Sequence, residues 1–132
     1  MAKMFLLSVF DNRQEIVDYQ ESQVDFLEWC YKKLDCDLIE FSEIEITEKG
    51  KTYHFDVICD EEGLCKLNAV SVVNSNDEPQ LVGSILITHC NRDDKFSDLT
   101  DEEIRLIKRH LMMVIMQGRN EKPFLTAILK TA

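Results

Sequence analysis

The stretch LTDEEIRLIKRHLMMVIMQG, residues 99–118, decides the fold, because the architecture depends on where its helix stops. Thr100 at the N-cap and Glu103 three residues on form a capping box, each side chain accepting from the other residue's backbone N–H. Leu99 and Ile104 flank that box as a hydrophobic staple. Beyond it Ile104, Ile107, Leu111, Val114 and Ile115 recur on one helical stripe, and Gly118 suits the left-handed residue after a helix. The spacing predicts a helix continuing through Met116. In such a helix Leu111–Met116 would be apolar around the whole circumference, either a core helix covered by the C-terminal tail or a contact surface. Met112, Met113 and Met116 are the candidate residues for a dimer or partner contact, since methionine adapts to irregular apolar surfaces.

Upstream, Met4–Phe10 and more weakly Glu15–Tyr19 read as strands around the turn residues Asp11-Asn12-Arg13. Ser22 is a suitable N-cap for an amphipathic helix over Gln23–Leu34, with Lys32 and Lys33 in its last turn. Leu38–Thr47 alternates around Glu43-Ile44-Glu45-Ile46, a half-buried strand with one acidic face. Glu48-Lys49-Gly50-Lys51 has turn chemistry, and Thr52–Cys59 and Leu64–Val73 are the next strands. Asn74–Pro79 is a polar loop, and Leu81–His89 reads as one strand with a bulge at Gly83. The sequence Cys59-Asp60-Glu61-Glu62-Gly63-Leu64-Cys65 lies between two strands. Its carboxylates are expected at a hairpin tip, with Gly63 supplying the positive φ. Together these elements predict an α+β fold: a mostly antiparallel sheet of five to six strands carrying two helices, in one domain over residues 1–132.

The chain is acidic, with a formal net charge of −10, and the charge is uneven. From residue 104 onward Arg105, Lys108, Arg109, Arg119, Lys122 and Lys130 oppose Glu121 alone, a net +5. The first 103 residues carry the other nine cations and twenty-four carboxylates, a net −15. Such a body repels phosphate backbones, which disfavours direct nucleic-acid binding and suits a protein with a basic surface. Met4–Phe10 is too short for a signal peptide or a membrane span, and five cysteines is an odd number, so a cytoplasmic protein with reduced thiols is expected.

No catalytic constellation emerges. The Cys30-x5-Cys36 and Cys59-x5-Cys65 spacings are wider than structural zinc pairs, and neighbours His89-Cys90 point to opposite faces of a strand. The acidic runs at Asp60–Glu62 and Asn91–Asp94 do not match the spacing of an EF-hand loop. There is no nucleophile elbow and no phosphate-cradling glycine loop. No cofactor and no metal are expected. What remains is an acidic face, with Glu43 and Glu45 on one side of a strand and about 6–7 Å apart. Glu61, Glu62, Asp93, Asp94 and Asp98 are the further candidates for partner contact.

Asp60-Glu61-Glu62-Gly63-Leu64, Gly83-Ser84-Ile85-Leu86-Ile87 and Leu99-Thr100-Asp101-Glu102-Glu103-Ile104 together resemble domain-of-unknown-function family 3846, over about residues 22–112. That family shares an N-E-E-G-like hairpin, a glycine-led apolar strand and an L-T-D-E-(E/Q)-I helix start; Asp60 departs from its asparagine. The resemblance brings no catalytic residues. It implies proteins carried by phages, plasmids and other mobile elements. The expected function is a non-enzymatic binding protein that occludes the basic surface of a host nucleic-acid-handling or defence protein. The alternatives are a module that binds or sequesters a small ligand or nucleotide between sheet and helices, and an accessory protein with a solvated acidic surface.

Overall fold

The computed structural model describes residues 2–9, 11–20, 25–61, 70–90, 96–116 and 122–131. Their elements run β1 (Ala2–Ser8), β2 (Arg13–Tyr19), α1 (Phe26–Leu34), β3 (Ile39–Glu48), β4 (Lys51–Asp60), β5 (Val70–Val73), β6 (Pro79–Val82), β7 (Ile85–Cys90), β8 (Phe96–Ser97), α2 (Asp101–Arg109), β9 (Leu111–Met116) and β10 (Phe124–Lys130). The α+β class and the two helices agree with the sequence reading. The single sheet does not. The strands divide between a larger sheet ordered β2-β1-β7-β4-β3, with β8 added to β7, and a second sheet ordered β6-β5-β10-β9. The larger sheet is antiparallel throughout, whereas β10 runs parallel to β5 in the second.

Burial explains why some strands are apolar without interruption. On β1, Phe5 and Leu7 enter the core between the two sheets, while Met4 and Leu6 enter a second core beneath α1. Ile85 and Ile87 against Leu86 on β7 repeat the division. The central strands are therefore covered on both faces, which removes the polar alternation expected of a half-exposed strand. Ile104, Leu106 and Ile107 of α2 join the inter-sheet core, and Cys30 and Leu34 of α1 join the other. Each such fully buried aliphatic side chain contributes about 1.5–3 kcal/mol over leaving it in water.

The helix ends are set by local chemistry. Around α2 the capping box forms as read: Thr100 Oγ1 accepts from the Glu103 N–H at 3.1 Å, and Glu103 Oε1 accepts from the Thr100 N–H at 2.9 Å. At α1 the N-cap is Asp25 rather than Ser22, its carboxylate accepting from Glu28 N at 3.4 Å. The tight turn between β3 and β4 places Lys49 at φ 53° and Gly50 at φ 79°, the paired positive φ that matches the twist of a two-residue hairpin. All ten residues of β3 keep register with β4.

Two sequence expectations are corrected. The helix does not run through Met116: it ends at Arg109, His110 caps it, and Leu111–Met116 is a strand in six-residue antiparallel register with β10. A helix apolar all round would need cover on every side, whereas a strand containing the β-branched pair Val114-Ile115 needs it on one. Nor is Leu81–His89 a single bulged strand. Gly83, at φ 82°, separates β6 from β7, and the two belong to different sheets. Most of the predicted hairpin tip, from Glu62 to Cys65, lies outside the described residues, as does Gly118.

Candidate functional site: an acidic groove between two sheet edges

β3 is the outer strand of the larger sheet and β6 an outer strand of the second, and a groove runs between them. Its larger part, about 240 Å³, is lined by Ser42–Glu45 together with Val72, Asn74, Gln80, Leu81 and Thr131. A smaller hollow of about 90 Å³ adjoins it through the shared Gln80 and Leu81, and adds Glu40, Cys59, Asp60, Glu61 and Val82. Among the described residues, five carboxylate residues line the two hollows and no lysine or arginine does. Ile44, Val72 and Leu81 supply an apolar floor continuous with the inter-sheet core.

Local structure positions these groups. Ile44 turns inward, so Glu43 and Glu45 share the opposite face of β3 with Phe41, reaching the groove from its rim. Across the strand pair Glu43 stands opposite Asp56 and Glu45 opposite His54, and the His54 Nδ1–Glu45 Oε1 distance is 3.3 Å. Phe41 is 55% exposed and stacks on Phe96 at 6.4 Å, at the edge of an aromatic cluster with Phe26, Tyr19 and Trp29. Leu38 is also exposed. On the far wall, Asn74 Oδ1 accepts from the N–H groups of Asn76 and Glu78, which fixes the turn that carries β6. The Cys59 thiol lies 3.6 Å from the Glu40 carbonyl oxygen, and burial together with the Glu40 carboxylate pushes it up to about 12. It is a thiol at neutral pH and no nucleophile. Burial likewise pushes the Cys30 thiol up to about 12.

Of the predicted contact residues, the groove brings together Glu43, Glu45 and Glu61. Asp98 is elsewhere and is structural: its carboxylate accepts from the Lys3 N–H at 2.7 Å and ties the start of α2's approach to β1. Glu62, Asp93 and Asp94 lie outside the described residues. Met112, Met113 and Met116 lie on β9, far along the second sheet from β6. Glu40, Asn74 and Gln80 were not anticipated, and Asp60, expected outward at a hairpin tip, is instead the buried last residue of β4. The alternation of β3 hid Glu40, which falls on its core-side face, and nothing local announced that β6 would stand opposite. Among the described residues no three His, Cys, Asp or Glu side chains are grouped to hold a metal ion, and no helix is long and apolar enough to cross a membrane.

The segment that builds this groove also carries a family match. Residues 6–112 match the family described as Domain of unknown function (DUF3846). The chain belongs to that family. The DUF3846 match runs from β1 to the start of β9, and so takes in both β3 and β6. No curated protein and no solved structure matches the chain.

Two His–carboxylate pairs lie away from the groove and hold α2 at both ends. His89 Nε2 meets Glu103 Oε2 at the N-terminus, with the His89 ring stacked on Phe55 at 5.4 Å. At the other end Glu48 accepts from Arg109 Nε at 3.2 Å and from its terminal nitrogen at 2.8 Å, and lies 3.0 Å from His110 Nε2. Burial acts to raise the Glu103 carboxyl, but the Thr100 N–H and His89 outweigh it and hold it below the usual range. Arg109, and then His110, do the same for Glu48.

Proposed function

We propose that this protein acts by binding rather than by catalysis, and that it captures a protein with a basic surface in the β3–β6 groove. The observation that carries this reading is the groove's lining, in which Glu40, Glu43, Glu45 and Glu61 stand with no lysine or arginine among the described residues that line it. Carboxylates around an apolar floor suit lysine and arginine side chains, whose aliphatic stems pack on Ile44 and Leu81 while their charged ends reach the rim. Because a row of carboxylates offers a basic groove what a phosphate backbone offers, the partner is a nucleic-acid-handling or defence protein of a host cell. The chain would block that protein's own site, as fits a phage- or mobile-element-encoded inhibitor working in the cytoplasm.

The test is capture of such a protein from host lysate, followed by affinity measurements at low and moderate salt. Glu43→Lys with Glu45→Lys should weaken capture and flatten its salt dependence. An affinity indifferent both to salt and to these two substitutions would end the electrostatic reading.

A second reading rests on a different cavity. About 330 Å³ open between Thr47, Arg109, His110, Leu111, Met112, Lys130 and Thr131, where a small anion or nucleotide would compete with Glu48 for Arg109 and with Asp77 for Lys130. Thermal stabilisation by an anionic metabolite, abolished by Lys130→Ala, would favour it over the groove.

A further inference from the structure

We propose that the free edge of β9 is where two copies of this chain pair, strand to strand, about a two-fold axis. The first observation is a gradient of exposure along the β9–β10 hairpin. Leu111, Met113 and Ile115 lie opposite Leu129, Ala127 and Leu125, so all six share one face. Leu129 and Ala127 are buried in the inter-sheet core, yet Leu125 is 54% exposed, Met113 54% and Ile115 75%. The core side of the hairpin thus runs out beyond what covers it.

The second observation concerns the edge itself. Among the described residues, β9 ends the second sheet, and its six residues carry no charge, no proline and no break in register. Each other outer strand carries a guard. β2 holds Arg13, Glu15 and Asp18, β3 holds four glutamates, and β6 starts at Pro79 and shifts register against β5. Charges, prolines and bulges are how sheet edges avoid unwanted pairing, and β9 has none of them.

The strand's own sequence selects the occupant. A two-fold axis perpendicular to the sheet must pass through a residue that meets itself. Centred on Val114, it places Met113 of one copy opposite Ile115 of the other and Met112 opposite Met116, so the facing pairs over 112–116 are all apolar. Contact through β2 or β3 would instead set charged side chains in the seam of two chains that each carry −10. Two cations at the α2 end of the hairpin do not repel a second copy, because Arg109 is held by Glu48 and Lys130 by Asp77 at 3.0 Å. A charged partner segment gains nothing here; an uncharged apolar strand does, and β9 is one.

Sedimentation velocity of the full chain over a range of concentrations tests this independently of the groove. A dimer is expected, with a thermal midpoint that rises with protein concentration. Ile115→Lys and, separately, Met113→Lys should each sediment as monomers with an unchanged far-ultraviolet spectrum, since both side chains are exposed. Glu43→Lys with Glu45→Lys should leave the dimer intact. A wild-type chain that stays monomeric at every concentration overturns the proposal, leaving the edge free or to another protein. So does a dimer that survives both lysine substitutions.

Discussion

β3 and β9 each end a sheet, and they treat the exposed edge in opposite ways. β3 presents Glu40, Glu43, Glu45 and Glu48 along ten residues, while β9 presents six apolar residues and nothing else. On β3 the inward side chains are buried, Ile44 at 7% and Ile46 at 0%, whereas on β9 the equivalent face reaches 75% exposure at Ile115. A charged edge rejects its own copy and selects a partner of opposite charge; a bare apolar edge does the reverse. The two proposed binding modes would not compete on one small fold, because the strands that carry them lie on different sheets. Glu48 joins them, closing β3 and accepting from the end of α2, one residue before β9 begins.

The sharpest way to break this comparison is one substitution made at both edges. Ile46→Ala should destabilise the fold by about 2–5 kcal/mol in urea unfolding, the cost of a cavity in a packed core. Ile115→Ala should change the stability of the monomer by less than about 0.5 kcal/mol, as surface substitutions do. If the two costs were equal, the exposed end of the hairpin would be core and the contrast between the edges would fail.

Smaller effects test how α2 is held between the two regions. Thr100→Ala removes the side-chain acceptor of the capping box and should cost about 1 kcal/mol by thermal or chemical unfolding. Glu103 has a folded pKa below its ordinary value, so its contribution is present above that ordinary value and is lost as pH falls through the folded one. Stability should therefore decline on acidification below about pH 4.5, where a carboxyl begins to bind protons in the unfolded chain. Glu103→Gln should flatten that part of the profile; an unaltered acid limb would mean that the His89 and Thr100 contacts contribute nothing. Smallest is Glu48→Gln. The pair with Arg109 is exposed, so a slight drop in thermal midpoint is expected, shrinking further in high salt.

Much of the fold was legible residue by residue, where the signal is local. Thr100 and Glu103 announced the start of α2, Lys49-Gly50 the hairpin, and Glu43-Ile44-Glu45-Ile46 an exposed acidic face. The errors arise where local pattern is ambiguous and a distant strand decides. Leu111, Val114 and Ile115 continue a helical stripe by coincidence of spacing, and only the pairing of β9 with β10 makes them strand. Gly83 signalled irregularity, but that it would switch the chain between sheets depends on β5 pairing in parallel with β10, across more than fifty residues. The site was half legible for the same reason. Glu43, Glu45 and Glu61 could be picked by charge and alternation, whereas Asn74 and Gln80 reach the groove only because the second sheet exists.

The central claim, that the β3–β6 groove is the surface that recognises basic protein, is tested most directly by a nuclear magnetic resonance titration of the labelled chain with a lysine- and arginine-rich peptide. Saturable shifts are expected in the backbone amides of Ser42–Glu45, Glu61, Asn74, Gln80 and Leu81, diminished by Glu43→Lys with Glu45→Lys. Shifts spread over all the acidic surface, or centred away from this groove, would contradict it.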